Sequence, residues 1–90
     1  LASLPVLVEY AAPILQPGGT AVFWKGAPDR TELAAGAAAA AIVGLTPEPA
    51  LAPDPGDADG GVLCVYRKTA PTPDRFPRRP GMARKRPLAS

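Results

Sequence analysis

The chain has 90 residues, a formal net charge of +2, no histidine and a single cysteine, Cys64. One cysteine excludes an internal disulfide framework, and the absence of histidine removes the usual ligand set of a structural zinc site. We therefore expect one small domain from a reducing compartment, with a cytoplasmic localisation and no metal. No apolar run approaches the roughly 20 residues that cross a bilayer, so a membrane-inserted protein is not expected either.

The first predicted element is an amphipathic helix that begins after Ser3, a suitable N-cap, and carries Pro5 in its first turn. Leucine, valine and alanine recur at spacings of three and four as far as Leu15. Pro13 should kink or end this helix. The following Gln16-Pro17-Gly18-Gly19 predicts a turn and not a cofactor loop, because a cofactor-binding loop follows a strand instead of preceding one.

Residues 20–24 are an unbroken run of β-forming residues that ends in Trp24. This pattern favours a strand of a parallel sheet that is covered by helices on both faces, with Trp24 in the core. Asp29 and Glu32 then form a capping-box signature, and an alanine-rich helix is expected to end at Gly44.

The next segment is weaker, because Pro47 and Pro49 allow at best an edge strand over residues 45–52. Residues 53–61 are expected to form an acidic loop, and residues 62–67 predict a second clear strand in which Cys64 and Tyr66 are buried. A buried parallel strand needs neighbours on both sides, and the chain provides too few strands. We therefore interpret residues 1–68 as the C-terminal half of an α/β domain whose N-terminal half precedes Leu1.

The basic residues are concentrated near the end of the chain. Eight of the ten lie within residues 67–86, where Asp74 is the single acid. Several prolines in residues 69–90 predict an extended Pro/Arg-rich arm without a regular helix. Clustered guanidinium groups make nucleic acid the favoured partner. An anionic membrane is the competing surface, and a solvated tail without a partner is the third alternative.

Three stretches resemble one known family: ASLPVLVEYAAPILQPGGTAVFWKG (residues 2–26), VYRK (65–68) and TPDRFPRRPGMARKRPL (72–88). They resemble the C-terminal half of the ribosomal RNA small subunit methyltransferase G (RsmG or GidB) family, and the tail is similar to its actinobacterial branch. The resemblance implies a class I, Rossmann-like, S-adenosylmethionine-dependent fold and methylation of a guanine N7 in 16S rRNA. It also implies 16S rRNA or a precursor of the small ribosomal subunit as partner, and a monomer when full length.

The same resemblance places the cofactor loop upstream of Leu1, so S-adenosylmethionine would be bound by the missing N-terminal half. No catalytic residue is expected in this chain, because guanine N7 already carries a lone pair and its methylation depends mainly on positioning. The family's Lys-Gly pair matches Lys25-Gly26, at the end of a strand that would line the ligand crevice. Lys25 is therefore a candidate RNA contact, although a solvated strand end is the alternative. The other candidate RNA contacts are the cations of the arm: Arg75, Arg78, Arg79, Arg84, Lys85 and Arg86.

Two functions remain open at this point. The first is a fragment of an rRNA methyltransferase, which by itself would not transfer methyl groups. The second is a non-catalytic, basic-tailed module that binds RNA or the ribosome. The acidic, histidine-free residues 53–62 depart from the basic approach to the last strand that is common in the family, so we do not expect RNA contact there.

Overall fold

A computed structural model describes residues 3–26, 28–49, 61–76, 78–79 and 81–89. The elements, in chain order, are α1 (Leu4–Ala11), a 3₁₀ turn (Ala12–Ile14), β1 (Thr20–Lys25), α2 (Arg30–Val43), β2 (Leu45–Pro47), β3 (Val62–Lys68) and α3 (Met82–Lys85). The helices and strands predicted before residue 68 are confirmed in kind and order. The predicted acidic loop lies outside the described residues except for Gly61.

The three strands form one sheet in the order β1-β3-β2, and β3 is antiparallel to both neighbours. The prediction of a parallel sheet around β1 is therefore wrong for the neighbour that the structure describes. An apolar run shows that both faces of a strand are apolar, but it does not show in which direction the adjacent strand runs. β1 and β2 run parallel to each other, because each is antiparallel to β3, which lies between them. Among the described residues, the other edge of β1 has no partner strand.

The two long helices begin where the sequence predicts, but their caps are shared. The Asp29 side chain accepts a hydrogen bond from the Glu32 N–H (2.7 Å), which confirms half of the capping box. The Glu32 carboxylate does not complete that box and instead accepts the N–H of Leu4 (3.0 Å), at the start of α1. Ser3 holds the N-cap position without a capping bond from its side chain. Gly44 ends α2 with a φ of 89°, as expected of a C′ glycine.

Both helices pack over the sheet face that carries Cys64 and Tyr66, and the core forms there. A Cβ atom on Gly36 would lie 2.7 Å from the Tyr66 hydroxyl and 2.9 Å from the Leu4 Cβ. The glycine in the middle of α2 therefore lets this helix approach α1 and the sheet closely, which offsets its poor helix propensity.

The basic segment, residues 75–89, is the part of the predicted arm that carries its cations, and its described residues do not form an extended arm. Residues 82–85 form α3, because no proline interrupts the chain between Gly81 and Arg86 and one helical turn fits there. Phe76 and Ala83 are buried, and Leu88 packs against the core. The expectation of an arm without a helix is therefore wrong, whereas the domain division at residue 68 stays a prediction.

Candidate nucleic-acid interface

The basic segment is held against α1 by one buried carboxylate. Glu9 is 1% exposed and accepts two bonds from the Arg78 guanidinium, Nε to Oε2 (2.8 Å) and Nη2 to Oε1 (2.6 Å). The Arg78 backbone N–H also approaches Oε2 (3.3 Å). The hydrogen bonds from Arg78 hold the pKa of Glu9 below its ordinary value, against the opposing effect of burial. This is a bidentate charged pair of the kind that fixes geometry as well as charge.

Arg78 also contacts the far end of the segment. Its Nη2 donates to the backbone carbonyl of Arg86 (2.7 Å), the residue that caps the C-terminal end of α3. One guanidinium therefore connects α1 to the end of α3. The RNA contact predicted for Arg78 stays a prediction, and the structure places its Nε and Nη2 donors on groups within the protein.

The remaining cations of the segment face solvent. Arg75 lies over the ring of Phe76, with its guanidinium carbon 4.8 Å from the ring centroid. All five cations are exposed while the chain between them is anchored by buried side chains. They are Arg75, Arg79, Arg84, Lys85 and Arg86, and we refer to them as the basic surface.

Lys25 is not part of the basic surface and lies at the end of β1. Its ammonium group pairs with the Glu32 carboxylate at 2.9 Å, and its side chain is 12% exposed. Because Glu32 also accepts the N–H of Leu4, Lys25 belongs to a cluster at the N-terminal ends of α1 and α2. The structure thus brings the six arm cations into one docked segment and holds Lys25 in a separate ion pair.

The sequence did not single out Lys68, which is only 8% exposed. Its ammonium group donates to the carbonyls of Ala12 (2.9 Å) and Leu15 (2.8 Å), at the C-terminal end of α1 and its 3₁₀ turn. The adjacent Thr72 hydroxyl donates to the carbonyl of Val43 (2.7 Å), at the end of α2. The alternation of Lys68 with Cys64 and Tyr66 along β3 was the available signal that it faces the covered side.

The opposite face of the sheet is apolar and exposed. Val22 is 52% and Trp24 49% exposed, and their cross-strand partners Val65 and Leu63 extend the same face. The prediction that Trp24 lies in the core is therefore wrong in this chain, because the described helices cover only the other face. By contrast, Cys64 and Tyr66 are buried as predicted, and burial raises the pKa of Tyr66 to about 12.

The glycine-rich segment before β1 forms a turn. The Gln16–Gly19 turn is confirmed, with Gly19 N–H donating to the Gln16 carbonyl (2.8 Å), and it precedes β1 instead of following a strand. The described residues hold no group of three or more potential metal ligands among His, Cys, Asp and Glu. None of the helices that they form has the length and apolar character needed to span a bilayer.

The chain matches curated proteins over nearly its whole length. It is 40% identical to ribosomal RNA small subunit methyltransferase G of Rubrobacter xylanophilus, over 98% of this chain and 35% of that protein. The proteins of the same name from Deinococcus radiodurans and Lacticaseibacillus paracasei are 43% and 38% identical, again over 98% of the chain.

The chain spans only 35% and 37% of the length of these two relatives. No family model matches it. Because these alignments cover almost every residue of the chain, they include both the sheet and the docked basic segment. The chain belongs, as a partial-length member, to the ribosomal RNA small subunit methyltransferase G family.

Proposed function

We propose that this chain is the C-terminal part of an rRNA methyltransferase that transfers a methyl group from S-adenosylmethionine to a guanine N7 of 16S rRNA. The observation that carries this proposal is the match over 98% of the chain to proteins named ribosomal RNA small subunit methyltransferase G. The partner would be 16S rRNA or a precursor of the small ribosomal subunit, in the cytoplasm.

The open side of the sheet supports the fold in this proposal. β1 has an unpaired edge among the described residues, and Val22 and Trp24 expose an apolar surface beside it. Exposed strand edges and contiguous apolar patches are both unfavourable in an isolated domain. A class I, Rossmann-like sheet would supply a strand at that edge and helices on that face, and the relatives have the additional length to provide them.

In this proposal the methyl donor is bound by the region of the relatives that this chain does not match. S-adenosylmethionine would supply the methyl group there. The contribution of this chain is then structural support for the sheet and an electrostatic contact with RNA phosphates through the basic surface, which positions RNA without reading its sequence.

A chimera tests the catalytic proposal. The matching third of the Rubrobacter xylanophilus relative is replaced by this chain, and transfer of labelled methyl groups from S-adenosylmethionine to 16S rRNA is measured. We expect methylation by the chimera and none by the relative with that third deleted, or by this chain alone. A folded chimera that binds the cofactor but leaves 16S rRNA unmodified would contradict the proposal.

The alternative, a non-catalytic RNA-binding module, is favoured by the exposed basic surface and by the lack of a cofactor loop among the described residues. It predicts that the chain binds RNA by itself while the chimera remains inactive. The salt dependence of binding to single-stranded RNA measures the number of phosphate contacts. Five contacts give a slope of about −3.5 in a plot of log affinity against log salt concentration. A flat response would remove RNA contact by this segment from both functions.

A further inference from the structure

The Glu9–Arg78 pair joins residues 69 positions apart in the sequence, and its geometry suits a role beyond holding the segment in place. Burying a charged pair is often no more stabilising than packing apolar side chains of similar size. Phe76 and Ala83 already provide apolar anchors for the segment. The pair in addition fixes the orientation of the Arg78 side chain, because a bidentate guanidinium and carboxylate meet in one planar arrangement.

One contact links this oriented guanidinium to the basic surface. The Nη2 atom that bonds to Glu9 Oε1 (2.6 Å) also donates to the Arg86 carbonyl (2.7 Å). The plane of the guanidinium therefore fixes the end of α3, where three of the exposed cations follow one another: Arg84, Lys85 and Arg86. A free arm would lose conformational entropy when it binds, whereas a docked segment has already lost it.

We propose that Arg78 is a positioning residue, which with Glu9 pre-organises the five cations of the basic surface for a run of RNA phosphates. The proposal rests on the proposed RNA contact of this segment. It assigns Arg78 a different role from the other arginines of the segment: it orders the surface from beneath and does not itself touch phosphate.

Glu9→Gln tests this role by the sign of its effect. The substitution removes a negative charge, so simple electrostatics predicts tighter RNA binding, as for Asp74→Asn, which makes the same change in net charge at an exposed position. A positioning role predicts weaker binding for Glu9→Gln, by about threefold to tenfold. The probe is a short, fluorescently labelled single-stranded RNA of mixed sequence. Binding of Glu9→Gln that equals or exceeds that of the unmodified chain would overturn the proposal.

Arg78→Lys gives an independent test at constant charge. Lysine binds phosphate as a point charge, but it cannot form the bidentate pair or reach the Arg86 carbonyl in the same plane. We expect weaker RNA binding for Arg78→Lys and unchanged binding for Arg30→Lys, an exposed control at the start of α2. Equal binding by Arg78→Lys would indicate that only the charge of Arg78 matters, which would overturn the positioning role. Circular dichroism of each variant shows whether the fold is retained.

Tryptic cleavage separates failure of this inference from failure of the proposed function, because it reports on docking without RNA. We expect the bond after Arg84 to be cleaved slowly in the unmodified chain and faster in Glu9→Gln. If Glu9→Gln is cleaved faster but the unmodified chain does not bind RNA, the Glu9–Arg78 pair does anchor the segment. In that case the RNA contact, and the pre-organisation for RNA that depends on it, are both wrong. Unchanged cleavage would overturn the anchoring itself, whatever the RNA affinity.

Discussion

Glu9 has the environment of a carboxylate whose charge contributes to stability, since it is buried against Arg78 and its pKa is held below the ordinary value of 4.5. Stability from a carboxylate with a lowered pKa is fully present above the pKa of the unfolded chain. It is lost as the pH falls through the lower pKa of the folded chain. The Glu9–Arg78 pair should therefore stabilise the chain at neutral pH and cease to do so in acid.

We expect Glu9→Gln to lower the free energy of unfolding by about 3 kcal/mol at neutral pH, because the Arg78 charge is left without its counter-ion. The difference should narrow as the pH falls below 4.5. Urea unfolding of both proteins across this range measures it. Glu48→Gln is the control, because Glu48 pairs with Arg67 at the surface and should contribute no more than about 1 kcal/mol. A difference that stays constant with pH would show that the charge of Glu9 is not the cause.

The environment of some residues is determined by the local sequence, and that of others by segments distant in the chain. Cys64 and Tyr66 were predicted to pack because their alternation along a strand is a local property of the sequence. Trp24 was placed differently by the structure, since its exposure depends on what covers the sheet. The pairing of Arg78 with Glu9 was not predicted, because it depends on a residue in α1. Composition identified Arg78 as basic, but it could not show that a buried carboxylate would face it.

At the scale of elements, carbonyls at the C-terminal ends of α1 and α2 accept hydrogen bonds from the last residue of β3 and from a residue just after it. Lys68 donates to two carbonyls at the end of α1, and Thr72 donates to the end of α2. Cations near a helix C-terminus interact favourably with its carbonyls and dipole. The end of β3 and the residues just after it therefore fix both helices relative to the sheet, ahead of the basic segment.

Lys68→Met tests this capping. Methionine keeps the apolar stem but removes both hydrogen bonds, so we expect a loss of about 2 kcal/mol in the free energy of unfolding. Arg67→Met is the matched control on the exposed side of the same strand, where its ion pair with Glu48 should contribute at most about 1 kcal/mol. Denaturant unfolding compares the two variants, and equal losses would argue against a capping role for Lys68.

The elements also show where sequence reasoning ends. Both long helices were predicted with their ends, because Asp29, Gly44 and Pro13 act within a few residues of their positions. The direction of β3 was not, because strand pairing is decided by contacts between distant segments. The helical turn α3 was not predicted for a different reason: the high proline content of the segment disfavours a helix, although no proline lies between Gly81 and Arg86.

For the whole molecule, the two sides of the sheet have different surroundings. One side holds α1, α2 and the docked basic segment over a buried core. The other side exposes Val22 and Trp24, with Leu63 and Val65 beside them. The unbroken apolar run in β1 predicted a strand covered on both faces, whereas the described residues cover only one of them. The exposed face is the surface on which the proposed remainder of the methyltransferase would pack.

Trp24 reports on that face directly, because it is the only tryptophan of the chain. We expect fluorine NMR of fluorotryptophan-labelled protein to show Trp24 open to a soluble paramagnetic agent in the chain alone. In the Rubrobacter chimera it should be protected, with a Trp24→Phe variant to assign its signal. Val22→Thr should then destabilise the chimera by about 1 kcal/mol or more, because a hydroxyl is buried without a partner.

Ile42→Thr makes a similar change at an exposed site on α2 and should have a smaller effect. If Trp24 stays open to the agent in a chimera that folds, the apolar face is not an internal interface of the methyltransferase and must meet a separate partner. Protection of Trp24 together with a Val22 effect larger than that of Ile42 would place the missing layer of the fold on this face, because only a covered position gains a penalty from the added hydroxyl.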